Sequence, residues 1–87
     1  MKIVELKNKH VAAWQREIKA ARPGDVENIA QLPNAWFYDI TIRAAFKAGW
    51  MPDATEDQID DLTFKQAEKL ATELLQAYSA TQAVDPN

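Results

Sequence analysis

The chain has no cysteine, one histidine and only two glycines among its 87 residues. Without cysteine, disulfides, thiolate metal ligands and thiol nucleophiles are all excluded. Gly24 and Gly49 cannot form a glycine-rich phosphate loop, and His10 has no thiol to activate. Each Asp and Glu can be explained as a helix cap or a solvent-facing residue. We therefore predict that the protein is not an enzyme and takes no cofactor and no small-molecule substrate.

Long apolar runs are also missing. No stretch approaches the ~20 apolar residues needed to cross a bilayer, and the N-terminus MKIVELKNKH lacks the apolar segment of a signal peptide. Hydrophobic residues at 47% and charged residues at 26% are ordinary for a globular protein. We expect a soluble, cytoplasmic protein without a membrane partner. A single helical domain is predicted over residues 1–80, with an arm at 1–7 and a flexible tail at 81–87.

Charge is unevenly distributed along the chain. Residues 1–22 carry a net charge of +4 and the remainder carries −7. The basic segment, with Arg16 and Lys19, could bind a protein partner or the acidic part of a second copy, or it could simply face solvent. Nucleic acid is a less favoured partner, because the overall charge of −3 opposes phosphate binding.

The pattern predicts an all-α fold with three main helices and short helical turns. A stripe from Val11 to Ala21 marks the first helix, which the Pro23–Gly24 step ends. The segment DVENIAQL is consistent with one short turn. The central helix follows Pro33, with Asn34 as its predicted cap, and only one row of residues at spacing four is polar: Asp39, Arg43 and Lys47. A helix that is apolar on three sides is usually surrounded by its neighbours, although the excess could cover an oligomer interface.

The end of the central helix and the start of the last one carry clear local signals. Gly49 is placed for a left-handed turn that would fold Trp50 back over the helix. Thr55 with Gln58, and Thr63 with Gln66, match capping boxes that open either two helices or one merged helix. The acidic run from Asp53 to Asp61 lacks the glycine and glutamate spacing of a calcium loop, and so we predict no metal site.

The N-terminal KIVEL segment is a lone extended pattern. It predicts either an arm lying on the helices or an edge strand that pairs with a partner, and its removal is expected to leave the helical fold intact. The core candidates are Trp14, Trp36, Phe37, Ile40, Phe46, Leu70 and Leu74. The candidate partner-binding residues are Ile3, Val4, Leu6, Arg16, Lys19 and Trp36.

The segment ITIRAAFKAGWMPDATEDQIDDLTFKQAEKLATELLQAY, residues 40–78, resembles small helical proteins that tailed bacteriophages and prophages encode near their tail genes. These include tail assembly chaperone-like proteins. The shared pattern is an apolar helix ending in a Gly-Trp step, an acidic segment with an IDDLT-like cap, and a Leu/Ala-rich helix. The resemblance implies a chaperone- or adaptor-like role in the bacterial host cell, binding another phage structural protein such as a tape-measure or tail-tube component. A small DNA-binding regulator that uses the basic first helix is the alternative.

Overall fold

The computed structural model describes residues 1–82 and contains four α-helices. These are α1 (Asn8–Ala21), α2 (Asn34–Lys47), α3 (Glu56–Asp60) and α4 (Phe64–Gln82), with a 3₁₀ turn at Ile29–Gln31 between α1 and α2. No strand occurs in this part of the chain. The predicted all-α class is confirmed. The short turn in DVENIAQL is also confirmed, and the two capping signals open separate helices.

Helix α2 is the centre of the fold, since it packs against both α1 and α4. It buries residues on three sides: Ile40, Thr41, Ile42, Ala44 and Ala45. The prediction that Trp36 belongs to the core is wrong, because its side chain is 49% exposed. At 3.6 residues per turn, Trp36 falls in line with Arg43 and Lys47, which lie seven and eleven positions later, so it joins the polar stripe. Of the other core candidates, Trp14, Ile40, Leu70 and Leu74 are buried and Phe37 and Phe46 are half-buried.

Gly49 ends α2 in the predicted left-handed conformation, with φ of 82°. The Trp50 amide donates to the Ala45 carbonyl oxygen at 3.0 Å, and the Gly49 amide donates to that of Phe46 at 3.2 Å. This pair of bonds satisfies two carbonyls at the helix end and turns Trp50 inward. The Trp50 side chain is completely buried, stacks on Trp14 with ring centroids 5.1 Å apart, and donates its indole N–H to the His10 carbonyl oxygen at 2.9 Å.

Both predicted capping boxes form. The Thr55 hydroxyl accepts the Gln58 amide at 3.2 Å, and the Gln58 side chain accepts the Thr55 amide at 3.0 Å. Thr63 and Gln66 make the same reciprocal pair at 3.1 and 2.9 Å. The predicted cap at Asn34 is wrong: this residue is the first of α2, Pro33 occupies the cap position, and no side chain caps the helix.

The N-terminal segment lies on the helices as an arm. The Val4 amide donates to the Trp50 carbonyl oxygen at 2.9 Å, and Ile3 and Leu6 pack against the main core. At the other end, α4 continues to Gln82, so the flexible tail predicted at 81–87 starts too early. The helix extends because residues 79–82 include no glycine or proline to stop it. The rest of that predicted tail, residues 83–87, lies outside the described residues.

Candidate functional site

The six predicted partner-binding residues do not form one surface. Ile3, Val4 and Leu6 are half-buried; Ile3 and Leu6 pack against the chain's own core, and the Val4 amide bonds the Trp50 carbonyl oxygen. Arg16 and Lys19 are exposed on α1. Trp36 is exposed on α2 and lines a groove with Glu17 and Ala21, on the opposite flank of α1 from Lys19. The structure therefore presents two separate exposed surfaces, one containing Lys19 and one containing Trp36. Partner binding by the arm stays a prediction.

The first surface is an open groove between α1, the 3₁₀ turn, α2 and α4, which we call the basic groove. Its volume is about 770 Å³. The half-buried side chains of Ile18, Phe37, Leu75 and Tyr78 form an apolar floor. Phe37 and Ile18 also pack against the smaller core cluster around Ile29, which fixes the floor in place.

Polar side chains border the basic groove on the α1 side. Gln15 donates its side-chain N–H to the Tyr78 hydroxyl at 3.3 Å. Arg22 donates to the Glu27 backbone carbonyl oxygen and so ties the end of α1 to the following loop. Lys19 is exposed, and no ion pair to it occurs within residues 1–82. Glu27 adds one acidic group, leaving the groove with two cations, Lys19 and Arg22, against one anion.

The second surface, the Trp36 surface, comprises Trp36, Asp39, Arg43 and Lys47 on α2 together with Glu17 on α1. Arg43 bonds Asp39 at 2.8 Å and also pairs with Asp60 of α3. These partners, with the Asp60 hydrogen bond foremost, raise the pKa of the Arg43 guanidinium above its already high usual value, although burial opposes them. Arg43 therefore stays charged at any working pH and links α2 to α3.

A third feature, at the start of α4, was missed by sequence reasoning. Phe64 is 55% exposed and lies against Tyr38, with ring centroids 5.6 Å apart. The Tyr38 hydroxyl donates to the Glu68 carboxylate at 3.1 Å. Burial, followed by the bond and charge of Glu68, raises the pKa of the Tyr38 phenol. The sequence did contain a signal for this exposed ring: Phe64 precedes the apolar stripe of the last helix, which begins at Ala67.

These surfaces offer apolar contact area and fixed charges. Among residues 1–82, no group of three His, Asp or Glu side chains is arranged to hold a metal ion. None of the helices in that range combines the length and apolar character that membrane crossing requires. Comparison with protein-family models, curated proteins and solved structures finds no match for this chain.

Proposed function

We propose that this protein acts without catalysis, by binding another structural protein during assembly of a bacteriophage tail, as a chaperone or adaptor. The observation that carries the binding role is the basic groove, an open cleft with an apolar floor and a polar border on a small domain. The phage setting is supported by the resemblance of residues 40–78 to small phage tail proteins. Like those proteins, it would work in the cytoplasm of the bacterial host.

The chemistry of the groove favours one kind of occupant, an amphipathic helical segment of the partner that carries carboxylates. Helices commonly enter apolar clefts with side chains spaced three and four residues apart, and the floor formed by Ile18, Phe37 and Leu75 offers them contact area. Carboxylates on the segment would pair with Lys19 and Arg22. Such charges at the edge of an interface mainly raise the rate of association and set orientation.

The test uses the two partner classes that the resemblance implies. Purified tail-tube and tape-measure proteins of the same phage are each titrated with the wild-type chain and with Lys19→Glu by calorimetry. We expect one of them to bind, and the charge reversal to weaken binding about tenfold, a difference of about 1.4 kcal/mol. Lys69→Glu is the matched control, because Lys69 is exposed on α4 and does not line the groove.

Two results would count against the proposal. Equal binding by Lys19→Glu and Lys69→Glu would remove the groove as the docking site, while leaving a binding function in place. Failure of both tail proteins to bind the folded wild-type chain would remove the tail-assembly role itself.

The alternative, DNA binding, is favoured by a different observation. Lys9, Arg16 and Lys19 are all exposed and share the outer face of α1. If that face bound a duplex, the logarithm of the binding constant would fall with the logarithm of salt concentration, with a slope of about −0.9 per phosphate contacted. Arg16 does not line the groove, so Arg16→Glu tests this face separately. Duplex binding that shows this slope and is lost in Arg16→Glu would favour DNA binding over protein binding.

A further inference from the structure

We infer that the Trp36 surface is a contact between two copies of this chain, related by a two-fold axis. This surface lies on the other flank of α1 from the basic groove, so the contact does not depend on what the groove binds. The order of the charged residues along α2 identifies the partner as a second copy of this chain.

Trp36 gives this surface its apolar area. Of the three tryptophans in the chain, Trp14 and Trp50 are buried, whereas Trp36 is 49% exposed. A single exposed apolar side chain is common on monomers and says nothing alone about a partner. Tryptophan is nevertheless, with tyrosine and arginine, one of the residue types enriched at the energetic centre of protein interfaces. Ala21 and Ala44, two small residues, line the same groove as Trp36.

The charges on the surface identify the occupant. Asp39 lies in the first half of α2 and Lys47 is its last residue, eight positions and about 12 Å further along the helix. Two copies related by a two-fold axis across the stripe place their α2 helices antiparallel. Asp39 of each copy then lies close to Lys47 of the other copy, so the contact contains two opposite-charge pairs.

The other charges are compatible with that arrangement. Arg43 lies midway between Asp39 and Lys47, so this register sets Arg43 of one copy opposite Arg43 of the other. Each of these guanidinium groups is paired with Asp39 and Asp60 of its own chain, which offsets the repulsion between them. Glu17 balances the remaining cation, so the four charged residues of the surface comprise two positive and two negative groups. A surface with no net charge and with acid before base along the helix is complementary to its own copy.

The placement of the three tryptophans provides a direct readout on the unmodified protein. In a monomer, the quencher iodide reaches Trp36 but not the buried Trp14 and Trp50. Fluorescence quenching is therefore measured at constant ionic strength from low micromolar to millimolar concentration, with light scattering giving the mass of the same samples. We expect the mass to double as concentration rises and the quenchable fraction to fall in parallel.

Matched variants assign the contact to this surface. Trp36→Ala is expected to weaken dimerisation at least about tenfold, whereas Phe64→Ala, which removes an equally exposed aromatic side chain elsewhere, leaves it unchanged. Lys47→Glu weakens the dimer and Lys69→Glu does not. Circular dichroism confirms that each variant is folded. A monomer throughout the range, a dimer in which Trp36 remains quenchable, or equal effects of Trp36→Ala and Phe64→Ala would each overturn the inference.

Discussion

Replacing Gly49 tests the account of how α2 ends and how Trp50 enters the core. The backbone φ of Gly49 is 82°, a left-handed conformation that side chains with a Cβ resist. An added Cβ would meet no atom within 4 Å. The cost of an alanine at this position therefore comes from backbone strain, with no contribution from steric overlap of the Cβ.

The expected loss of stability can therefore be taken from the cost of a left-handed backbone. A left-handed residue with a Cβ costs about 1–2 kcal/mol, and β-branched residues tolerate positive φ least. We expect Gly49→Ala to lower the free energy of unfolding by about 1 kcal/mol and Gly49→Val by about 2 kcal/mol or more. In a domain of this size, 2 kcal/mol corresponds to a fall of about 8–16 °C in Tm.

Gly24 provides the matched control. It also has open space around a new Cβ, but its φ is not positive. Gly24→Ala should leave stability unchanged or raise it by about 0.4–1 kcal/mol, because alanine restricts the unfolded chain. Urea unfolding followed by circular dichroism measures all three variants. If Gly49→Val and Gly24→Ala have the same stability as the wild type, the left-handed turn does not contribute as described.

Three further predictions follow from the core and the arm. Thr41→Val should be neutral or stabilise by about 1 kcal/mol in urea unfolding, because the Thr41 hydroxyl is buried without a hydrogen-bond partner among the described residues; a loss of stability would show that the hydroxyl has a partner. Deleting residues 1–6 should destabilise the fold by about 2 kcal/mol, because the half-buried side chains of Ile3 and Leu6 each supply roughly half the burial free energy of a fully buried one. Unchanged thermal unfolding would restore the expectation of a dispensable arm. The Tyr38 phenol should ionise above its ordinary pKa of 10.0, because its burial and Glu68 disfavour the phenolate. The stability from this raised pKa is present at lower pH and is lost as pH rises through the folded-state value. Ultraviolet titration against Tyr38→Phe measures this, and ionisation at or below 10.0 would contradict it.

Local signals in the sequence predicted most of the helix boundaries. Gly49, Thr55 and Thr63 each act through hydrogen bonds to residues at most five positions away, so their effect could be worked out without a fold. The predicted cap at Asn34 was wrong because Pro33 takes the cap position, which leaves Asn34 as the first helical residue.

The positions of aromatic side chains were harder to predict. A spacing of four places Trp36 with Ile40 and Ala44 and so favours the core, but spacings of seven and eleven align it better with Arg43 and Lys47. Trp50 folds back on α2 as expected, but its stacking on Trp14 of α1 was not predicted. That contact joins residues far apart in the chain and depends on how the helices pack, which periodicity does not reveal.

The candidate surfaces were only partly predictable for the same reason. Lys19 and Trp36 were both selected as partner-binding residues, but the sequence could not show that they face opposite flanks of α1. The floor of the basic groove combines Ile18, Phe37 and Leu75 from three helices, and the 3₁₀ turn closes one side of it. Such a surface exists only after packing.

The basic groove is tested as the docking site by an NMR titration of the isotope-labelled chain with whichever tail protein binds it in calorimetry. Backbone amide shifts identify the residues whose surroundings change. We expect the changes to concentrate on the basic groove, around Ile18, Lys19 and Phe37, and to spare the arm at residues 1–6. Changes confined to the arm, or no changes on adding either the tail-tube or the tape-measure protein, would contradict this expectation.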